Sequence, residues 1–560
     1  MLWVLVLMAG LNAGLLSRDV AYGHVFTDDA TIPAWQRSRN FSLRAAVTYR
    51  LNPLLTLMIT AWPQEAGTTA EELTDQQLGL PRRGLPAAKT VPPVAGTIGA
   101  RRSVVVIAVE SLRRDVIGLR HNGVPVMPHV SKLAESGCTF TKAYAQSTHS
   151  NYADPCVFSS LYPLRTDAHH YYSASDPWPK DLLYDVLSRH NYRTGMFSSQ
   201  NESWGNMDQF LHTPVLDVFF DSQSYDGPTY VPPTDTGFAG YVKKAHVAGK
   251  LDDAVTVSKA VEWISQPDER PYCLCMNLQS SHFPYPVPDT EPTVFEPSRI
   301  DFNVSFLRYP QDKVPVVRNA YFNALHYIDK QIGRLVHTIR SLPQGNRTLI
   351  VILGDNGESF YEHGYPTHGG PPVEPQVNVA LVMNCPEILE SAESNYLTQM
   401  IDVVPTVLSL LQVPLNDCRQ GIDVLAAERP APTKRLAFVH CNNGRTKCNG
   451  VVSASGWKYT FDLREGVGVL HNTANDPAES VNYATTHPKV AEILSRLLTE
   501  WHRRQVTYYG KSQYYGLWNP PKEPELTDAE THVLWENVSD TDGQLPGWPS
   551  QSDVRTAPGG

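Results

Sequence analysis

The apolar residues of this chain fall into a few long runs that predict the strands of a buried sheet. Residues 103–109, 271–277 and 348–353 are apolar or small at nearly every position. Continuous runs of this kind are typical of parallel strands that are covered on both faces. Residues 316–342 instead place apolar side chains at helical spacing. Strands that alternate with helices predict an α/β fold with a doubly wound, mostly parallel sheet, which we assign to residues 101–424.

The pattern changes after residue 424, and the remaining chain divides into two parts. Short strand-like runs recur between residues 436 and 471, and residues 490–504 have helical spacing. These features predict a small C-terminal α+β subdomain over residues 425–510, made of an antiparallel sheet and one closing helix. Residues 511–560 contain too few apolar side chains to form a core of their own, so we expect a largely irregular tail.

The first 62 residues form a separate apolar segment. Residues 1–16 carry no charge, but the run is shorter than the roughly 20 residues that cross a bilayer. It also lacks the basic start of a signal peptide. A short membrane anchor, the end of a longer membrane region and a buried core helix are the three interpretations. We expect residues 1–62 to associate with a membrane, residues 63–100 to be a linker rich in Pro, Gly and charge, and the protein to be membrane-associated or extracytoplasmic.

The composition limits the partners of the protein. Its 560 residues include 57 acidic and 47 basic side chains, for a formal net charge of −10. This balance argues against a nucleic-acid partner. The chain also contains 44 Pro, 36 Gly and 26 Tyr, which indicates long ordered loops of the kind on which enzymes build their sites.

Polar side chains follow two of the predicted core strands. Glu110 comes directly after the first run, and Asp355 and Asn356 come shortly after the third. The carboxyl ends of parallel strands meet at one edge of the sheet, where open α/β folds bind ligands. These side chains offer only oxygen donors, which suit a hard or borderline divalent cation.

A third candidate, Ser150, lies where a polar loop passes into a short apolar helix. The free N–H groups and the positive dipole end at a helix start favour an anion there. A hydroxyl at this position can attack phosphorus or sulfur if its pKa is lowered, as contact with a metal would do. The alternative is an ordinary serine that caps the helix.

Several segments, in order along the chain, resemble the sulfatase-like group of the alkaline phosphatase superfamily. The similarity extends from about Ser103 to Trp501 and includes the block Gly-Asp-Asn-Gly-Glu-Ser-Phe-Tyr-Glu-His-Gly that begins at Gly354. The matching segments are residues 104–115, 127–145, 281–285, 354–364, 368–370, 401–408, 456–459 and 475–482.

The resemblance implies a metal-dependent enzyme with Ser150 as its nucleophile. One divalent ion, calcium, manganese or magnesium rather than zinc, is expected. Its implied ligands are Glu110, Asp355, Asn356 and Ser150. His282 is expected to contact the charged oxygens of the substrate, and His368 to protonate the leaving oxygen.

The nucleophile segment distinguishes two branches of this group. In sulfatases a Cys/Ser-x-Pro-x-Arg motif directs oxidation of the first residue to formylglycine. Tyr152 and Asp154 stand at the Pro and Arg positions here, so we expect Ser150 to remain unmodified. The segment is closer to the lipoteichoic acid synthase and phosphoethanolamine transferase branch, which attacks phosphorus with an unmodified Thr or Ser and carries an acidic residue near the position of Asp154.

A second segment, residues 200–208, resembles the substrate loop of that branch. We therefore expect Trp204, Asn206 and Asp154 to contact the substrate. Two residues depart from the pattern: Asn206 stands where the branch usually has Arg, and Asn356 stands where it usually has His. Asp-Asn is the sulfatase form of the metal-binding pair.

The sequence thus predicts a metal-dependent hydrolase or transferase that uses an unmodified serine on a phosphoester. The substrate would carry a polar head group or a sugar. One alternative is a sulfatase that acts on a sulfated glycan or a small sulfate ester. The other is a catalytically inactive, membrane-tethered binding protein with the same fold.

Overall fold

The computed structural model describes residues 101–163, 172, 180–227, 249–414, 418–442, 446–510 and 519–536. The predicted membrane-associated segment and linker, residues 1–100, lie outside these ranges. Within the described ranges, no helix has the length and apolar character that a bilayer crossing requires.

The central element is an eight-stranded mixed sheet in the order β8-β2-β7-β6-β1-β5-β3-β4. Most neighbouring strands are parallel, and only β7 runs antiparallel to its neighbours β6 and β2. The predicted α/β fold with a mostly parallel sheet is confirmed. In chain order the strands are β1 Val104–Val109, β2 Cys138–Phe140, β3 Arg193–Ser198, β4 Val218–Phe220, β5 Tyr272–Leu278, β6 Leu349–Gly354, β7 Leu381–Asn384 and β8 Ala392–Ser394.

The sheet is buried on both faces, which explains the continuous apolar runs in the sequence. In β1, Val104, Val106 and Ala108 belong to one hydrophobic cluster, and the alternate residues Val105 and Ile107 belong to another. Successive side chains of a strand point to opposite faces, so both faces of β1 require apolar residues.

Helices cover these two faces and connect the strands. The longest one spans Val314–Ser341, as its apolar spacing predicts. In chain order the helices are α1 Pro128–Glu135, α2 Ser150–Ser159, α3 Leu183–Arg189, α4 Asp208–Leu211, α5 Asp253–Ile264, α6 Val314–Ser341, α7 Glu374–Val377, α8 Val403–Leu410, α9 Pro488–Gly510 and α10 Asp528–Trp535.

A second sheet follows the first domain and forms the expected C-terminal α+β unit. It has four antiparallel strands in sequence order and packs against α9. Its strands are β9 Leu436–Asn442, β10 Lys447–Ser453, β11 Trp457–Asp462 and β12 Val467–Asn472.

The tail contains more regular structure than its composition predicts. Thr527 and Glu530 form a capping box at the start of α10, and the indole N–H of Trp457 donates to the carbonyl of Leu534 at 3.1 Å. Local capping and docking on the second sheet therefore stabilise a helix that could not form a core by itself. Residues 528–535 are thus helical, and the expectation of a largely irregular tail stays a prediction for the rest of residues 511–560.

Candidate active site

The site begins at the C-terminal edge of the central sheet, where β1 and β6 end side by side. Val109 pairs with Gly354 across these parallel strands, so the residues that follow each strand emerge close together. Glu110 and Asp355 are both buried here. The backbone N–H of Ser111 donates to Asp355 Oδ1 at 3.0 Å and holds this carboxylate beside the end of β1.

Ser150 is the first residue of α2 and faces these carboxylates. Its Oγ donates toward Glu110 Oε1 at 3.1 Å and Oε2 at 2.9 Å. His149, rather than Ser150, occupies the N-cap position of the helix. The hydroxyl is thus directed at the acidic group and not at its own helix start, which argues against the alternative of a capping serine.

Asn356 completes the set of four residues that the sequence predicts as metal ligands. Its amide nitrogen lies 3.2 Å from Ser150 Oγ, 2.7 Å from Asp355 Oδ2 and 3.4 Å from Glu110 Oε1. All four side chains are buried. The structure therefore brings the predicted ligands around one point, although their role as metal ligands remains a prediction.

The electrostatics of this point favour a cation. Burial, together with the nearby charge of Glu110, raises the pKa of Asp355 to about 8. Burial also acts to raise the pKa of Glu110, but the positive charges of His368 and Lys250, together with hydrogen bonds from Ser150 and Gln279, outweigh it and lower the pKa. Two carboxylates, a hydroxyl and an amide fit a hard divalent ion, whose charge would compensate the buried acids. The amide of Asn356 presents its oxygen to such an ion when it is rotated by a half turn.

A second group of side chains shares Glu110. One ligand atom each from Glu110, His282 and His368 lies within 4.8 Å of the others. This arrangement would add imidazole nitrogen to the donor set, which suits transition metals and zinc better than calcium. The site thus offers two overlapping ways to hold an ion.

His368 is held between two acidic groups. Its Nδ1 lies 3.3 Å from Glu358 Oε2 and 3.2 Å from Ser111 Oγ, and its Nε2 lies 3.8 Å from Glu110 Oε1. Burial acts to lower the pKa of His368, but Glu358 and Glu110 reverse this effect and raise it. The ring is therefore disposed to carry a proton between Glu358 and Glu110.

His282 lies beside His368. The ring centroids are 5.3 Å apart, and Nδ1 of His282 lies 2.7 Å from the carbonyl of Phe283, which makes Nδ1 the donor. Phe306 stacks on His282 and contacts the ring of His368 edge-on. These ring contacts fix the positions of both imidazoles, whose contact with substrate stays a prediction.

The three predicted substrate residues occupy different environments. Trp204 is 44% exposed and stacks on His149, the residue before Ser150, with ring centroids 5.3 Å apart, so its ring is accessible close to the predicted nucleophile. Asn206 is exposed and donates its amide to the carbonyl of Tyr172 at 2.8 Å. Its amide therefore bonds to the backbone.

Asp154 lies one turn further along α2 and is 0% exposed. Its Oδ2 accepts a hydrogen bond of 3.0 Å from Asn277 at the end of β5. Burial is the main cause that raises the pKa of Asp154 well above its ordinary value. The position favours support of the nucleophile helix over the predicted contact with substrate.

Sequence reasoning missed several polar residues around the site. Glu358 holds His368, and Gln279, the residue after β5, donates to Glu110. Gln279 shows the same sequence signal as Glu110, a polar residue just beyond a buried strand, and Glu358 lies in the block of residues 354–364 that resembles the sulfatase-like group. His149 was also missed, although it directly precedes Ser150.

Comparison with known proteins identifies the family. The Sulfatase family model matches residues 102–413, and the chain belongs to this family. Mouse (Mus musculus) arylsulfatase K is 21% identical over 493 residues, covering 77% of this chain and 86% of the relative. Lipoteichoic acid synthase 2 of Bacillus subtilis (strain 168) is 24% identical over 340 residues, covering 58% of this chain and 48% of the relative.

Solved structures support the same fold. A 2-O GAG sulfatase superposes with a TM-score of 0.56 and 17% identity, covering 76% of this chain and 98% of that chain. The resemblance to sulfatase-like proteins of the alkaline phosphatase superfamily is therefore confirmed. The protein belongs to a family of ester hydrolases, whose members act with a divalent metal ion.

Proposed function

We propose that the protein is a metal-dependent hydrolase or transferase that uses unmodified Ser150 as its nucleophile, with a phosphoester as substrate. The observation that carries this proposal is the hydroxyl of Ser150, which lies within 3.1 Å of both oxygens of Glu110. Tyr152 and Asp154 in place of the Pro and Arg of the formylglycine motif support a serine that stays unmodified.

The residues suggest a two-step displacement. A divalent cation, with Glu110, Asp355, Asn356 and Ser150 as the proposed ligands, would supply stabilisation of negative charge at this point. Ser150 Oγ loses its proton to solvent and attacks phosphorus, the bond to the leaving oxygen breaks, and His368 gives that oxygen a proton. Water or an acceptor hydroxyl then gives a proton to His368 and attacks the phosphorus of the seryl ester, and Ser150 Oγ departs and regains a proton from solvent. The N–H groups at the start of α2 and His282 face the charge that develops on the equatorial oxygens.

The cleft suggests a substrate with a polar head group or a sugar. The residues that we expect to line it include the imidazoles of His282 and His368 and the exposed ring of Trp204. An aromatic ring offers a large apolar face that can pack against the apolar side of a sugar. We propose manganese, magnesium or calcium as the ion, because the four proposed ligands offer oxygen donors. We further propose a membrane-associated or extracytoplasmic location, for which the apolar residues 1–16 are the support.

A substrate panel tests this function. Purified protein with Mn²⁺, Mg²⁺ or Ca²⁺ is assayed on a phosphodiester, a phosphomonoester and an aryl sulfate. The proposal expects turnover of a phosphoester that Ser150→Ala abolishes. Ser159→Ala is the matched control, since Ser159 lies on the same helix and donates to the carbonyl of Pro155. Full activity of Ser150→Ala would refute the proposed nucleophile.

The second candidate is a sulfatase. The Asp355-Asn356 pair has the sulfatase form, and an arylsulfatase is among the relatives. Turnover confined to the sulfate ester would favour this candidate. No turnover of any ester by protein that binds the ion would favour an inactive binding protein.

A further inference from the structure

Glu110 has a further hydrogen-bond partner, Gln279, which follows β5 and does not belong to the block that begins at Gly354. Its Oε2 accepts a hydrogen bond of 3.0 Å from the side-chain amide of Gln279. Gln279 reaches this oxygen because β5 runs parallel to β1 with Leu278 opposite Val109, so the residues after both strands emerge side by side. Gln279 is itself buried, with 1% of its surface exposed.

Lys250 determines which way this amide points. Its ammonium donates to Oε1 of Gln279. Burial lowers the pKa of Lys250 to about 8, so the ammonium form predominates at pH 7. An ammonium has only donors, and the atom of Gln279 that faces it must therefore be the oxygen. The amide nitrogen is left to face Glu110.

Further contacts hold Gln279 in this orientation. Its amide nitrogen also donates to Asn277 Oδ1 at 2.7 Å, and its backbone N–H donates to Asp253 Oδ1 at 2.9 Å. Asn277 in turn donates to Asp154 on the nucleophile helix. One hydrogen-bonded chain thus connects Lys250 with the carboxylate of Glu110 and with the helix that carries Ser150.

We propose that Gln279 is a positioning residue for Glu110, and that Lys250 acts on Glu110 through the amide of Gln279. This inference rests on the proposed function, since it concerns the carboxylate that we propose as a metal ligand. The hydrogen bond from Gln279 fixes the plane of the Glu110 carboxylate, so that both oxygens face Ser150. A flipped amide would place its oxygen against Glu110 and turn the carboxylate away.

Lys250 should affect the metal site in the direction opposite to that expected from its charge alone. A positive charge near a cation site normally weakens binding of the cation, so loss of Lys250 should strengthen it if direct charge repulsion dominates. If Lys250 instead orients Gln279, its loss should weaken binding. Outer contacts of metal ligands typically change metal affinity by about 10- to 100-fold.

The test is a titration of the full chain with Mn²⁺ alone, with free Mn²⁺ measured by electron paramagnetic resonance. Gln279→Met and Lys250→Met should each weaken binding by about 10-fold or more. The double variant should bind no more weakly than Gln279→Met, because the lysine acts through the glutamine. Gln505→Met is the matched control, since Gln505 is a buried glutamine on α9, and it should bind like the wild type.

The outcomes separate this inference from the proposed function. A wild type that does not bind Mn²⁺ refutes the metal site and the inference together. A wild type that binds, with Gln279→Met or Lys250→Met binding equally well or more tightly, refutes the inference alone. Melting curves show whether each variant folds, and if Gln279→Met does not, Lys250→Met decides by the same criterion.

Discussion

Ser150 Oγ lies 3.1 and 2.9 Å from the two carboxylate oxygens of Glu110, although 40 residues separate them in the chain. The contact joins the start of a helix to the end of the central strand β1. A hydroxyl held against a buried carboxylate is hydrogen-bonded but not yet nucleophilic. The positive charge of a divalent ion at this point would favour loss of the hydroxyl proton.

Asp355→Asn should reduce both metal affinity and turnover. The substitution removes one of the two buried carboxylates at the proposed metal site, and we expect Mn²⁺ affinity to fall by at least about 10-fold. His282→Ala is the informative companion, because His282 belongs only to the overlapping group with Glu110 and His368. It should reduce turnover and leave Mn²⁺ affinity near the wild-type value.

Calorimetric or resonance titrations of both variants check this prediction. If His282→Ala no longer binds the ion and Asp355→Asn still does, the metal lies instead in the group formed by Glu110, His282 and His368.

Glu202 should make stability dependent on pH. Burial raises the pKa of Glu202 from 4.5 to about 7, so between these values the folded protein binds more protons than the unfolded chain. The free energy of unfolding should therefore fall as pH rises from about 4.5 to 7, by up to about 3 kcal/mol. Glu202→Gln should flatten this slope. Urea denaturation of both proteins at a series of pH values measures it, and equal slopes would contradict the prediction.

Glu358→Gln should shift the pH dependence of turnover. The negative charge of Glu358 helps to raise the pKa of His368, and this substitution removes it. If protonated His368 serves the leaving group, activity falls as pH rises through that pKa, and the variant should lose activity at a lower pH than the wild type. Glu362→Gln is the control, because Glu362 is half-buried and pairs with Arg113 at 2.9 Å instead of with His368. If the fall of turnover at high pH occurs at the same pH in Glu358→Gln as in the wild type, His368 is not the proton donor.

The fold and the centre of the site were accessible from the sequence because each depends on a local rule. Continuous apolar runs give strands that are buried on both faces, and polar residues after such strands meet at one edge. Glu110 and Asp355 satisfy this rule, and the structure places them together. Gln279 satisfies this rule equally well, but a neutral amide alone does not indicate a function. Its role can be inferred only from its contacts with Lys250 and Glu110 in the structure.

Two positions depend on packing that a sequence does not display. Asp154 lies one turn after Ser150 on α2 and is 0% exposed, and its expected contact with substrate stays a prediction. The tail helix Asp528–Trp535 has little apolar surface of its own and is stabilised where it docks on the second sheet.

The most direct test is the chemical state of residue 150 during turnover. The protein is mixed with a phosphodiester, quenched with acid and digested, and the mass of the peptide that contains Ser150 is measured by mass spectrometry. We predict an intact serine before turnover and, in the quenched sample, a serine whose oxygen carries the phosphoryl group together with the ester substituent that has not departed. An aldehyde at this residue, two hydrogens lighter than serine, would refute the unmodified nucleophile and establish the sulfatase chemistry instead.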